Sequence, residues 1–211
     1  MQWIILAILI SYLIGSIPTA YIFGRVLKGI DIRKFGSGNV GATNAFRVLG
    51  KTAGILVLLL DVLKGVLPVV FVGDYYSLKS TIVPQDSLLI ILALSCITGH
   101  NFTLFLRFKG GKGVATTFGV LIGLSFRIQG FGIILGLVIL TWLATFIVMR
   151  MVSLASVLAG IAIPVFMILF KHSPGVIFFG ILVAVFIILR HRSNLKRVFQ
   201  GKEPRLSFKK S

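Results

Sequence analysis

The sequence predicts an all-α integral membrane protein with seven transmembrane helices, its N-terminus outside the cell and its C-terminus in the cytoplasm. Three observations carry this prediction. Hydrophobic residues make up 57% of the 211 positions and charged residues only 13%, whereas soluble domains are about a quarter charged. The apolar residues gather into seven runs separated by short polar segments. The 22 Lys and Arg against 5 Asp and Glu are concentrated in alternate loops, the asymmetry that orients helical membrane proteins. The lone cysteine, Cys96, lies inside an apolar run, which excludes a disulfide framework and points to packing.

A span needs about 20 apolar residues. The runs cover residues 3–23, 53–72, 87–105, 114–126, 130–148, 154–170 and 176–189, the fourth being short. The first run has no basic segment ahead of it and no cleavage-site pattern, so it reads as a retained span rather than a signal peptide. No repeat, low-complexity tract or linker divides the chain, which predicts one membrane domain over 1–211 with a basic tail over 190–211. Arg25, Lys28, Arg33, Lys34, Arg47 and Lys51 share one side with Arg107, Lys109, Lys112, Arg150 and the tail cations, which include Lys209 and Lys210. Lys79, Arg127 and Lys171 fall on the other. The positive-inside rule makes the crowded side cytoplasmic. Cations confined to short inter-span loops argue against nucleic acid and leave anionic lipid or an acidic substrate as partners.

On the cytoplasmic side, helix N-termini are each preceded by a distinctive polar segment. Gly36-Ser37-Gly38-Asn39-Val40-Gly41-Ala42-Thr43-Asn44 combines glycines, short donors and, three residues on, the Arg47 fork. Bare amides leading into a helix, with a cation close by, form an anion cradle. The bland alternative is a flexible linker. The G-x-G-x-x-G spacing within it is a false dinucleotide fingerprint, since both flanks are membrane spans and no strand precedes it. Lys109-Gly110-Gly111-Lys112-Gly113 is not a Walker A loop either, but it offers similar physics: exposed amides, a Lys and a helix start. Ser153, near the start of the sixth span, suits either a helix cap or a substrate contact. His191 and Asn194 stand at i, i+3, on one face if the seventh span continues, where His is able to donate or accept a proton and Asn to hold a hydroxyl or oxyanion. A basic amphipathic tail on anionic lipid, with Leu195, Val198 and Phe199 in the interface, is the competing account. Asp61 and Lys64, also at i, i+3, lie inside the second span; intramembrane charges are functional candidates, but a structural ion pair is favoured here. His172 reads as an outer, solvated residue. No metal-ligand spacing, carboxylate pair or nucleophile elbow is present, so no metal and no cofactor is expected. An enzyme of this kind needs a substrate with a built-in leaving group; the alternative is a phosphate or organic-anion transporter.

Taken in order, residues 36–44, Asp61-Val62-Leu63-Lys64-Gly65, Gly99-His100, Phe108 to Thr116, Val152-Ser153-Leu154-Ala155-Ser156, and Arg190-His191-Arg192-Ser193-Asn194 with Gly201-Lys202-Glu203 resemble the PlsY-type bacterial acyl-phosphate:glycerol-3-phosphate acyltransferases over essentially the whole chain. Thr103 departs from a position where members often carry Pro, which bears on the bend of the third span. The resemblance implies transfer of a fatty acyl group from acyl phosphate to the 1-hydroxyl of glycerol 3-phosphate, giving lysophosphatidic acid and phosphate, in the first acylation of phospholipid synthesis. It implies that Ser37, Arg47 and Lys112 hold the glycerol 3-phosphate, that Gly38, Asn39, Gly41, Ala42 and Thr43, with Gly110 and Gly111, cradle the acyl phosphate, and that His191 and Asn194 orient the reacting groups. Ser37, His191 and Asn194 are then the catalytic set, with Ser153, Asp61 and Lys64 as further candidates. It also implies a bacterial cytoplasmic (inner) membrane location, with membrane lipids and the enzyme supplying acyl phosphate as partners.

Overall fold

The structure, a computed structural model, describes residues 2–77 and 83–205. Lys79, Lys209 and Lys210 lie outside the described residues. All regular structure among the described residues is helical. The chain forms two compact units that divide between Gln129 and Gly130.

The first unit holds α1 (Gln2–Ser16), α2 (Thr19–Lys28), α3 (Ala42–Leu49), α4 (Lys51–Leu67), α5 (Gly73–Ser77), α6 (Gln85–Asn101) and α7 (Val114–Ser125). Pro68 lacks an N–H, and the chain passes it in a π-helical stretch, Pro68–Val72, that joins α4 to α5. α1 packs on α6 and α4 on α7 through glycines. A Cβ at Gly15 would collide with the Cys96 carbonyl, and one at Gly99 with the Tyr12 carbonyl. The same holds for Gly65 against the Thr116 carbonyl and Gly119 against the Val62 carbonyl. Lipid tails are as apolar as leucine, so helices here associate by close backbone approach and interhelical hydrogen bonds. One such bond runs from Ser95 Oγ to the Ile8 carbonyl, 2.8 Å.

The first apolar run is broken where the sequence reading had it continuous. Pro18 removes a donor and forces Ile17 out of the helical region, so α1 stops at Ser16 and α2 starts at Thr19. The break is used. Lys64 Nζ donates to the exposed Ile17 carbonyl at 2.8 Å and pairs with Asp61 Oδ1 at 2.7 Å, while Thr19 Oγ1 donates to the same carboxylate oxygen at 2.6 Å. Asp61 is 1% exposed. The pair therefore ties α4 to the α1–α2 junction, as the structural reading of Asp61 and Lys64 anticipated. Cys96 is fully buried beside it, its thiol donating to the Lys64 carbonyl at 3.2 Å.

α6 ends at Asn101, within the apolar run over 87–105, at the polar His100-Asn101 step. Thr103 takes φ −65° and ψ 129°, a conformation proline also adopts. Its hydroxyl donates to the Ser16 carbonyl at 2.5 Å. The bend thus survives without Pro, and the hydroxyl adds a tie to α1.

The second unit holds α8 (Phe131–Met149), α9 (Val152–Leu169), α10 (Pro174–Arg190) and α11 (Arg192–Phe199). α9 packs against both α8 and α10, with Gly160 seated on Ile187 and Gly180 on Pro164 and Met167. His172 is half-buried rather than merely solvated, its ring edge-on to Phe131 with centroids 5.2 Å apart. α10 does not run straight into the tail: the axis turns by 63° at His191 before α11.

Among the described residues, five helical segments, Gln2–Lys28, Lys51–Tyr76, Gln85–Leu106, Phe131–Met149 and Val152–Leu169, are long and apolar enough to cross a membrane, or six if the bent pair α10–α11 counts as one span. α7 has 12 residues, about 18 Å at 1.5 Å per residue, against a hydrocarbon core about 30 Å thick.

Candidate active site

The glycine loop of the first unit is organised by Asn44. Its Oδ1 accepts the Ser37 N–H at 2.8 Å, and its Nδ2 donates to the Phe35 carbonyl at 3.1 Å. Asn44 is buried. It is therefore the strut of the loop and not one of its outward donors, contrary to the sequence reading. A side chain at Gly36 would collide with this amide, and Gly36 and Gly38 sit at φ 60° and 70°, where only glycine is comfortable. Gly41 then turns extended and leads into α3.

The loop was expected to feed the second span. It feeds α3 instead, because Gly50 at φ 97° ends that helix before α4 begins. The carbonyl end of α3 is capped by Lys28, whose Nζ donates to the Val48 carbonyl at 2.7 Å. Upstream, Asp31 accepts from the Arg33 guanidinium through both oxygens, at 2.9 and 2.7 Å. That hydrogen bonding holds the Asp31 carboxyl down at about 2. Arg33 also lies over the Tyr21 ring, fastening the loop to α2.

What this scaffold leaves unengaged is a run of amides. Among the described residues, the N–H groups of Asn39, Val40, Gly41, Ala42 and Thr43 have no acceptor. Ser37 and Arg47 flank them, both exposed, with Arg47 one turn beyond Asn44 on α3. Donors arranged this way, with a guanidinium nearby, suit a phosphate.

The Gly110–Gly111 pair behaves differently from its sequence reading. The Gly110 N–H donates to the Asn101 carbonyl and the Gly111 N–H to the His100 carbonyl, each at 3.1 Å. These amides cap α6 and are not bare, because the loop folds back over the helix end whose last carbonyls need donors. The glycines are required by that approach: a Cβ at either would strike His100. What the loop carries forward is Lys112, half-buried, just before α7.

In the second unit, His191 closes α10 and opens α11. The kink means that His191 and Asn194 do not share the face of one continuous helix; His191 is a hinge residue and Asn194 lies in the first turn of α11. Both are buried. The Ile187 carbonyl accepts from His191 Nδ1 at 2.8 Å. A carbonyl only accepts, so the proton sits on Nδ1 and, in the neutral ring, Nε2 carries the lone pair. Asn194 Nδ2 donates to Glu203 Oε1 at 2.6 Å. The carboxylate likewise fixes the amide's orientation, with Asn194 Oδ1 turned away from it.

Glu203 stands out. Sequence reasoning noted it in a motif but did not place it in the site. Its Oε1 also accepts from Ser153 Oγ at 2.5 Å, and its Oε2 from Arg197 Nε at 2.8 Å. Ser153 therefore does not cap α9: Met151 occupies the cap position, and Ser153, within the first turn, reaches for Glu203. Burial pushes the Glu203 carboxyl up, but the hydrogen bonds from Ser153, Asn194 and Arg197, with the Arg197 charge, outweigh it and hold it below the usual carboxylate range. A depressed carboxyl stabilises the fold above its unfolded pKa, and that contribution is lost as pH falls through the folded value. Glu203→Gln should therefore cost about 1–3 kcal/mol at neutral pH and flatten the acid limb of a thermal-stability profile. An unchanged melting temperature would remove Glu203 as the clamp on Asn194.

Comparison with known proteins identifies the family. Residues 5–201 match the family model of glycerol-3-phosphate acyltransferase. A glycerol-3-phosphate acyltransferase of Rippkaea orientalis is 42% identical, over 99% of this chain and 96% of its own length. One from Desulforamulus reducens is 41% identical, over 98% and 97%. Among solved structures, the crystal structure of PlsY, an integral membrane glycerol 3-phosphate acyltransferase, in its glycerol 3-phosphate form superposes with a TM-score of 0.84 at 37% identity, covering 97% of this chain and 96% of that one. Its lysophosphatidic acid form gives 0.82 at the same identity. The amide run, the Lys112 loop and the His191–Asn194 turn all fall within the matched residues, and the chain belongs to the PlsY-type glycerol-3-phosphate acyltransferase family.

Proposed function

We propose that this acyltransferase uses acyl phosphate as its donor and works on the cytoplasmic face of a bacterial inner membrane. In this reading seven spans form one domain, α7 being the short seventh, with the N-terminus outside and the basic tail inside. The donor is a mixed anhydride. The 1-hydroxyl oxygen of glycerol 3-phosphate attacks its carbonyl carbon, the carbon–oxygen bond to phosphate breaks, and the leaving phosphate takes the hydroxyl proton. No carboxylate base or covalent intermediate is needed, nor is a cofactor. The work left to the protein is to hold two anions that repel each other and to aim one at the other.

The observation that carries this reading is the unbroken run of unengaged amides from Asn39 to Thr43. It suits the phosphoryl group of the donor. Ser37, Arg47 and Lys112 suit the phosphate of glycerol 3-phosphate. His191, held by the Ile187 carbonyl, and Asn194, oriented by Glu203, suit positioning the attacking hydroxyl and the reacting carbonyl. Gly110 and Gly111 serve by shaping the Lys112 loop rather than by donating to the ligand. Membrane lipids supply the surroundings, and the enzyme that makes acyl phosphate is the partner from which so labile a donor is received.

The test is phosphate release from palmitoyl phosphate by the purified protein in detergent, with and without glycerol 3-phosphate. Release that depends on glycerol 3-phosphate and matches lysophosphatidic acid formed is expected. Uptake of labelled phosphate into liposomes without acyl transfer would replace the enzyme with an anion transporter.

A further inference from the structure

We infer that His100 is a positioning residue that sets the binding geometry of Lys112. The proposal deepens the reading above, since it rests on Lys112 holding the phosphate of glycerol 3-phosphate. His100 is buried at the last turn of α6. It touches the chain on both sides of Lys112. On one side its carbonyl accepts the Gly111 N–H at 3.1 Å, and its Nε2 edge lies so close to Gly111 that a Cβ there would collide with it. On the other side its Nδ1 is 3.1 Å from Thr116 Oγ1 in the first turn of α7. The next residue completes the bracket: the Asn101 carbonyl takes the Gly110 N–H, and its side-chain oxygen lies 2.6 Å from where a Cβ of Gly113 would stand.

The ring is itself backed by the buried ion pair, Nδ1 lying 3.9 Å from Asp61 Oδ1. That oxygen is the one already shared by Lys64 and Thr19. A continuous set of contacts thus runs from the α1–α2 break through Asp61 and His100 to the Lys112 loop. A flexible lysine binds well only when the backbone that carries it is fixed, and ionisable groups inside a membrane protein are retained where they do such work. His100 has this role without touching substrate.

The test compares KM for glycerol 3-phosphate at saturating palmitoyl phosphate in folded, monodisperse variants. Lys112→Ala comes first: an unchanged KM there overturns the role of Lys112 and with it this inference. With that role in place, His100→Ala is expected to raise KM for glycerol 3-phosphate about tenfold or more, leaving kcat and KM for palmitoyl phosphate within about threefold. His100→Asn, which keeps a polar group facing Thr116, should recover most of the loss. If His100→Ala does not fold, Thr116→Val decides the matter, with an expected rise in the same KM of about threefold. An unchanged KM in whichever of these variants folds, or a fall in kcat with KM untouched, overturns the positioning role while leaving that of Lys112 standing.

Discussion

Lys64→Met is expected to lower stability by about 3–5 kcal/mol, because it strands the Asp61 carboxylate in the interior with its nearest cation removed. Asp61 has one oxygen shared by Lys64 and Thr19 and the other, Oδ2, with no hydrogen-bond partner. Without the lysine that carboxylate must either lose its charge or open the α1–α2 junction, whose Ile17 carbonyl loses its donor at the same time. Cys96 supplies the readout. It is fully buried, and its thiol donates to the Lys64 backbone. Its reaction with a thiol-specific fluorophore on heating reports the opening of this region. The single variant should label at a markedly lower temperature, and the Asp61→Asn, Lys64→Met double variant should recover most of the loss, since a neutral pair needs no charge partner. Equal labelling in wild type and Lys64→Met would show that the pair does not hold α4 to the junction.

Arg47→Ala is expected to raise KM for glycerol 3-phosphate by about 10- to 150-fold, the equivalent of losing about 1.5–3 kcal/mol of charge-assisted hydrogen bonding. The effect should fall mainly on KM, because a phosphate remote from the reacting hydroxyl is held equally in the ground and transition states. Arg47→Lys should lie between, keeping the charge and losing the planar fork. Steady-state kinetics at saturating acyl phosphate check this. A kcat collapse at unchanged KM would move Arg47 from phosphate binding to the reacting centre.

The two units differ in how much of them could be read from sequence. Four of the seven apolar runs, 53–72, 87–105, 130–148 and 154–170, match helical segments long and apolar enough to cross a membrane to within a few residues, since about 20 apolar positions in a row have few other uses. The pairing of Asp61 with Lys64 was legible from their spacing. The partners at the α1–α2 break were not, because Thr19 and the Ile17 carbonyl reach Asp61 and Lys64 only through contacts distant in sequence. The break itself was signalled by Pro18 and outweighed in the sequence reading by the unbroken hydrophobicity around it.

At the candidate site, the glycines flagged the two polar loops but not what each amide does. Residues 39–43 leave their N–H groups unengaged, while Gly110 and Gly111 spend theirs on the end of α6. Both patterns look alike as sequence, and only the return of the chain over His100 separates them. Asn44 read as a donor and acts as a strut, and Ser153, read as either a cap or a substrate contact, donates to Glu203. In each case a short polar side chain chose a partner that the local sequence does not reveal. The signal that could have found Glu203 was its charge: it is one of only 5 acids in the chain, and it lies in a basic tail.

In the proposed reaction the site holds two phosphates, one on each substrate. The most direct measurement is lysophosphatidic acid formation by the purified protein given glycerol 3-phosphate and, in parallel, palmitoyl phosphate, palmitoyl-CoA or a palmitoyl carrier-protein thioester. Product from palmitoyl phosphate, with both thioesters inert, is the predicted result. Turnover of a thioester at a rate matching or exceeding that of the acyl phosphate would contradict it, leaving an acyltransferase whose amide run serves some purpose other than holding the donor's phosphoryl group.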